Sequence, residues 1–556
     1  MRYVKTSRKS DDDTSAPSSV QSFGSYEIFG SAGSESSDCE LCDGNKRRLN
    51  NTNNSSFYSV PSSTVTSYRS TMDRIQASPL LGGALPPPYY NAILAAPDSI
   101  GSKGFLPRDI LDAYKKQGQT PVESNKKKQS SLVTIFSVWN TILGSSLLTM
   151  AWGVERAGLP AALILVAVMA ALCLYTAYLL LKVNKYHGGG VVCEVPALCR
   201  LLLGAWAQRV AHLFSLVVLC GANIIYWILI TNFLYFTVNY FIDLSTPRNS
   251  TAYTNAAAIC PRQAVNGSLI IPVASDDSPY WGLHTTAPVL VCLIIFPLLN
   301  FKNVSFFTKF NSLGTLSVVY LLVFVVVKGW MWGVHLSAAA LDAPAPAHAA
   351  KDAAVLSGML ALSFYIHNII ITVMSNNERQ ENNGRDLTIA FLLVTITYTL
   401  VGVVFYICFP LAKSCIQDNI LNNFEMNDVM SAVARILLLF QVVTVYPLVA
   451  FMLRTEAILL MPVPAAWKQR RWLAVATNVA IVTLCILMAC FCPSIGTIIR
   501  YTGAVSGLVH IFALPSLLYA RSLQLRGKLT KWKATFFILI TLFGTINLLV
   551  QFFISE

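Results

Sequence analysis

Asn140, Thr141, Gly144, Ser145 and Ser146 sit at the centre of an otherwise apolar stretch, Ser131–Met150. Their types suit a ligand site more than a plain helix. Gly is about 1 kcal/mol less favourable in a helix than Ala. Ser hydroxyls can satisfy the backbone groups that a break sets free. A helix interrupted here presents N–H groups on one half and carbonyls on the other. The first suit a carboxylate and the second a small cation. The same composition also suits close helix packing of the Gly-xxx-small kind, and the residues alone leave both open.

Three further stretches carry polar groups among apolar neighbours. Gln441-Val-Val-Thr444-Val-Tyr446-Pro447 places a Thr hydroxyl beside a Pro. Pro interrupts helix hydrogen bonding, so Thr444 with the Asn140 amide oxygen makes a candidate sodium site of neutral oxygens. Thr444 bonding back to its own helix is the competing role. Ser357-Gly358 to Ser363-Phe-Tyr-Ile-His367-Asn368 is the second. It has no clear Gly break, and His367 reads as a packing residue before a proton-responsive one. The small polar face from Lys309 to Ser317 either lines the same cavity or packs closely. No HExxH, Walker A or GxSxG motif is present, and the seven histidines lack metal-ligand spacing.

What must position these groups is a membrane bundle. Of 556 residues 54% are hydrophobic and 12% charged. Soluble proteins carry about 25% charged residues, so a conventional soluble enzyme is excluded. Residues 1–130 are polar and rich in Ser, Asn and Pro, the composition of a disordered tail. Residues 131–556 form the second domain. A bilayer crossing takes about 20 mostly apolar residues. Eleven stretches qualify: 132–155, 160–181, 210–241, 286–300, 310–333, 353–375, 387–411, 431–461, 472–491, 495–520 and 534–554. With the tail in the cytosol, the inner loops hold 16 Lys/Arg and the outer loops 5. That asymmetry follows the positive-inside rule and supports both count and direction. The net charge of +13 lies in short loops, not on one patch, so no nucleic acid partner is expected.

The outer loop 242–285 contains the glycosylation acceptors Asn249 and Asn266. Cys260 and Cys415 are the only cysteines in the long outer loops, where disulfides persist, and are expected to pair. In the tail, Cys39-Glu-Leu-Cys42 has no second pair and does not read as zinc-binding. Tyr26-Glu-Ile-Phe29 and Tyr90-Asn-Ala-Ile93 have the form of sorting signals. The apolar island Pro86–Pro97 either docks a partner or folds back on its own protein.

Stretches 1 and 6 stand first in two sets of five. This suits a five-plus-five inverted repeat with an eleventh helix appended. At this point the chain resembles the amino acid/polyamine/auxin-permease-type transporters, and within them a lysosomal, arginine-sensing branch. The resemblance is carried by Ser131-Leu-Val-Thr-Ile-Phe with Trp139-Asn140-Thr141, and by Asn300-Phe-Lys with Ser305-Phe-Phe-Thr-Lys-Phe-Asn311. It is also carried by Phe364 with Ile366-His367-Asn368, Gln380-Glu-Asn-Asn383 with Arg385-Asp386, Leu439-Phe-Gln with Thr444-Val-Tyr-Pro447, and Ile498-Ile-Arg-Tyr501. It implies an all-α, LeuT-like fold on the lysosomal membrane. It implies amino acid binding at Thr141, Gly144, Ser145 and Ser146, with arginine among the ligands, and a sodium-like site at Asn140 and Thr444. It further implies export of essential amino acids from the lumen and docking of Rag GTPases and Ragulator, upstream of the mTOR kinase complex. Tyr89, Tyr90, Ile93 and Pro97 look like that docking segment. A non-transporting receptor-scaffold and a plasma-membrane carrier coupled to sodium or protons are the alternatives.

Overall fold

The computed structural model describes residues 128–187, 194–245, 281–300, 314–336, 346–468 and 470–554, with short pieces between 258 and 269. The chain divides into two units, Met1–Pro61 and Ser62–Glu556, and the described residues all lie in the second. The tail, Tyr89, Tyr90, Ile93, Pro97, Asn249 and Asn266 lie outside the described residues.

The described unit is a helical bundle. In lipid each backbone polar group must be satisfied within the chain, which favours helices. Helices α1 (Ser131–Ile142) and α2 (Ser146–Ala157) are separated by three residues and bent by 62°. Gly158, at φ 76°, turns the chain into α3 (Leu159–His187). A short α4 (Val195–Leu203) opens with Pro at its first turn and ends at Gly204, at φ 98°. Then follow α5 (Ala205–Ser245), α6 (Ala287–Leu299) and α7 (Gly314–Trp332). Next come α8 (Pro346–Ser363), a one-and-a-half-turn α9 (Ile370–Ser375) and α10 (Asn383–Cys408). Helix α11 (Val429–Leu460) starts where the Asp428 side chain accepts from Ser431 N–H, and Pro447 lies inside it. After a single turn, α12 (Ala465–Lys468), come α13 (Arg471–Phe491) and α14 (Ile495–Gly507). A π-helical turn, Leu508–Ala513, joins α14 to α15 (Leu514–Leu525), and α16 (Lys531–Gln551) ends the bundle.

Among the described residues, eight helices are long and apolar enough to cross a membrane, or nine when α1 and α2 count as one span. Among the described residues the strands are a hairpin of two-residue strands, Ala264–Val265 with Ser268–Leu269.

Small residues let the central helices touch through their backbones. A Cβ on Gly503 of α14 would run into the Gly358 carbonyl of α8. A Cβ on Gly221 of α5 would strike the Thr502 side chain. This is the close approach that membrane helices use in place of a hydrophobic driving force. One face of the bundle carries the Cys260–Cys415 disulfide, with Cα atoms 5.0 Å apart. Beside it, Lys328 Nζ lies 2.6 Å from Asp428 Oδ1, and the fully buried Arg435 donates to the Leu421 and Phe424 carbonyls. On the opposite face, Gln129 exchanges backbone hydrogen bonds with Asn376 and Glu378. The start of α1 is thereby tied to the chain after α9.

Candidate functional site

Helix α1 stops at Ile142 and α2 begins at Ser146. The gap is Leu143-Gly144-Ser145, so of the two readings the composition left open the structure has the break. Gly144 is exposed although it lies midway along an apolar segment, and Ser145 and Thr141 are half-buried. Only the Tyr226 hydroxyl comes within 4.0 Å of where a Gly144 Cβ would stand. Open space therefore reaches the unwound backbone. The start of α2 is partly closed by the gap itself: Leu147 N–H donates to the Gly144 carbonyl and Leu148 N–H to the Ser145 carbonyl, each at 3.1 Å. Ser146 is the first residue of α2 and is buried.

The second break falls where sequence pointed to continuity. Helix α8 ends at Ser363, α9 starts at Ile370, and Phe364–Ile369 lies between them without helical structure. The stretch 353–375, expected as one span, is therefore interrupted. His367 sits inside the break, fully buried, 2.9 Å from the Thr176 hydroxyl of α3.

One side chain joins the two breaks. The Tyr398 hydroxyl of α10 lies 3.1 Å from the Ile142 carbonyl and 3.0 Å from the Ser363 carbonyl. These are the last helical residues before each gap, whose carbonyls have no partner further along their own helices. A single O–H is shared between them. Phe364 packs edge-on against the Tyr398 ring, with centroids 5.5 Å apart. Next to it, Trp139 Nε1 donates to Thr397 Oγ1 at 3.2 Å. Sequence inspection missed Tyr398. Its residue type fits an ordinary buried aromatic, and only its spatial position marks it.

Helices α1, α7 and α11 converge on a second group of oxygens. Thr315 Oγ1 donates to Asn140 Oδ1 at 3.2 Å. The Gln441 side chain crosses the face of Gly314, where a Cβ would stand 3.0 Å from Nε2. Thr444, one turn further along α11, donates to the Gln441 carbonyl at 2.8 Å, the back-bonding role that competes with ion binding. Thr141 likewise donates to Ser137 O at 2.7 Å. Both hydroxyls keep lone pairs for a cation. Gln441 Oε1 is buried without a hydrogen-bond partner, so an unused neutral oxygen stands beside the set. No cluster of three or more His, Cys, Asp or Glu is arranged for a metal among the described residues.

Above the first break, on the disulfide side, lies a cavity of about 490 Å³. Trp152, Arg156, Asn232, His284, Asp418 and Ser494 are among its walls. Trp152 is six residues into α2, so the cavity floor stands about 9 Å along the helix from the gap. Asp418 Oδ2 accepts from Ser494 Oγ at 3.2 Å and from Gly496 N–H at 3.1 Å, which fixes the loop over the start of α14.

Residues 127–555 match the family model described as transmembrane amino acid transporter protein. A zebrafish protein named neutral amino acid transporter 9 is 40% identical, over 83% of this chain and 87% of its own length. The rat protein of the same name is 38% identical, over 83% and 86%. A Caenorhabditis elegans protein, sodium-coupled neutral amino acid transporter 9 homolog, is 37% identical, over 77% and 74%.

Proposed function

The chain belongs to the transmembrane amino acid transporter family and is a multi-pass membrane transporter, not an enzyme; from that premise we propose that it exports essential neutral amino acids from the lysosomal lumen and reports lumenal arginine to the cytosol. The observation that carries this is the pair of broken helices held together by Tyr398. Paired interruptions at corresponding positions mark the substrate site of repeat-built transporters.

In this reading the fold is a LeuT-like five-plus-five inverted repeat with one helix added. Counting the bent α1–α2 pair and the shorter apolar helices Ala287–Leu299 and Ala353–Ser363 brings the spans to eleven. The substrate sits at the first break, beside Gly144, Ser145 and Ser146, with Thr141 across the gap. The basic residues concentrated in alternate loops support a cytosolic N-terminus.

The co-transported ion is sodium, held by Asn140 Oδ1 and Thr444 Oγ1. The orphan Gln441 Oε1 supports a cation here, since a buried unpaired oxygen costs about 1–3 kcal/mol. Arginine in the gap shifts the balance between lumen-open and cytosol-open states only through unequal affinity for the two. The tail then signals that state, with Tyr89, Tyr90, Ile93 and Pro97 docking Rag GTPases and Ragulator. The Asn249 and Asn266 triplets are read as lumenal glycosylation sites.

The test is counterflow of radiolabelled leucine and arginine into liposomes bearing the purified protein. Ser145→Trp should reduce both to background while the thermal unfolding midpoint stays unchanged. If both amino acids still move at the normal rate, the pocket is assigned wrongly. Recovery of Rag GTPases with the Tyr89→Ala, Tyr90→Ala double variant, undiminished from the unaltered chain, would refute the docking segment.

A further inference from the structure

Helices α3, α15 and α16 enclose a groove of about 300 Å³, with Tyr175, Tyr519, Trp532, Phe536, Phe537 and Lys533 among its walls. Helix α3 starts beside the cavity walls of α2 on the disulfide side and ends on the opposite face, where the groove lies. His187 Nε2 is 2.8 Å from Ser522 Oγ, which ties the end of α3 to the end of α15. Tyr175 meets Phe536 edge-on with centroids 5.7 Å apart, and Tyr519 meets Phe537 edge-on at 5.7 Å. Ring contacts thus join α16 to both of the other helices.

The three helices repeat one order of side chains. On α3, Lys182 follows Tyr175 by two helical turns, about 10 Å nearer the surface on the same side of the helix. Lys182 Nζ stands 4.4 Å from the Tyr178 ring and 6.0 Å from the Tyr519 ring, so it overhangs a groove wall. On α15, Tyr519 is followed by Arg526 just past the helix end. The Arg526 guanidinium lies 3.7 Å from the Tyr186 ring, one turn beyond Lys182. On α16, which runs the other way, Lys533 comes before Phe536 and Phe537. Rings lie deeper and cations nearer the surface in every case, and the faces of Tyr178 and Tyr186 hold two of the cations in place.

The chain builds no negative charge into these elements. Residues 157–193 and 457–555 contain no Asp or Glu, while two Lys in 182–185 and five Lys/Arg in 521–533 gather at the helix ends. Among the described residues none of these seven pairs with an acid. Clusters of about 4–8 Lys/Arg beside a membrane helix attract anionic lipid headgroups. The walls below are apolar and open sideways: Trp532 and Phe536 are exposed, as are Ile538 and Leu539 on the same bilayer-facing helix. An occupant therefore needs an apolar part against the rings and an anionic part above it, and a phospholipid has both. A phosphate monoester carries about −1.5 to −2 charge at pH 7 and three strong acceptor oxygens. A headgroup bearing such groups can meet several of the cations at once.

We propose that the groove between α3, α15 and α16 binds a phospholipid whose headgroup bears phosphate monoesters. The headgroup lies among Lys182, Arg526 and Lys533, and the acyl chains descend over Tyr175, Tyr519, Phe536 and Phe537 into the bilayer. The site needs the membrane-spanning fold and is independent of which substrate the chain carries.

The experiment titrates the full chain, purified in detergent, with a bisphosphorylated dioctanoyl phosphatidylinositol and follows binding by thermophoresis. Dioctanoyl phosphatidylserine and the free inositol trisphosphate headgroup are the comparison probes. The phosphoinositide should bind saturably, and at least about tenfold more tightly than either of them. Each basic residue at a headgroup is worth about fivefold, so Lys182→Gln with Lys533→Gln should weaken binding about 25-fold. Arg470→Gln with Arg471→Gln removes the same charge at the start of α13, which packs on α5, α6 and α11. That pair should change affinity by less than about twofold, because exposed charge away from the headgroup is screened. Equal losses in the two pairs would reduce the effect to diffuse surface charge and overturn the groove. Phosphatidylserine binding as tightly overturns the phosphate-monoester headgroup, and the free headgroup binding as tightly overturns the lipid. Absence of saturable binding overturns the whole proposal. Should the groove pair fail to fold, Lys533→Gln alone, at an exposed position, decides, and an unchanged affinity there overturns the site.

Discussion

Tyr398→Phe isolates the contact that joins the two breaks. The substitution removes one hydroxyl and keeps the ring, so the edge-on packing with Phe364 at 5.5 Å survives. What is lost is the shared donor to the Ile142 and Ser363 carbonyls, at 3.1 and 3.0 Å. Hydrogen bonds between membrane helices are worth about 0.6 kcal/mol on average and about 1.7 at most. One O–H shared by two carbonyls therefore amounts to about 0.6–1.7 kcal/mol, or about 3- to 20-fold in an equilibrium that depends on the breaks staying in register. Leucine counterflow in liposomes should fall by a factor in that range. The unfolding midpoint, followed by fluorescence-detected size exclusion after heating, should fall as well. Thr397→Ala is the companion variant. It removes the Thr397 hydroxyl's bonds with Trp139 Nε1 and the Leu393 carbonyl and leaves both gap carbonyls bonded, so its effect on counterflow should be smaller. Counterflow and midpoint both at the unaltered level in Tyr398→Phe would show that the breaks do not depend on this hydroxyl.

Other outcomes follow from the packing and the loops. Gly503→Val inserts side-chain atoms where the Gly358 carbonyl already stands; overpacking of this kind costs about 1–3 kcal/mol, and the midpoint should drop, while Ala520→Val on the half-buried part of α15 should change it little. Reducing the Cys260–Cys415 bridge, which spans 155 residues, should cost about 2–4 kcal/mol, seen as a lower midpoint in dithiothreitol that is absent in Cys260→Ser. Burial, helped by the nearby Asp428, raises the Glu425 carboxyl above its usual value of 4.5. The folded state then binds more protons than the unfolded chain, so this group's contribution is fully present below pH 4.5 and is lost as pH rises through the folded value. Glu425→Gln should therefore weaken the gain in midpoint on acidification, and an unchanged pH profile would dismiss the effect.

Much of the membrane design was legible because it depends on local chemistry. Long apolar runs, loop charge asymmetry and the two outer-loop cysteines each report the solvent or compartment a segment meets, and no distant partner is needed to read them. The place of the first break was marked for the same reason, since Gly144, Ser145 and Ser146 disfavour a continuous helix where they stand, but the same residues also suit close packing, and the structure chose between the two. The place of the second was not. Phe364, Tyr365, Ile366, His367, Asn368 and Ile369 include no Gly or Pro, and nothing local opposes a helix through them. Their unwinding is stabilised from elsewhere, by Tyr398, 35 residues away at the Ser363 carbonyl, and by Thr176 at His367. Sequence by itself determined that this chain is a bundle of membrane helices, with a first span whose polar centre suits either a break or close packing. Only the tertiary structure decided that a second interruption faces the first, because the hydrogen bonds that replace the missing helical ones come from other helices.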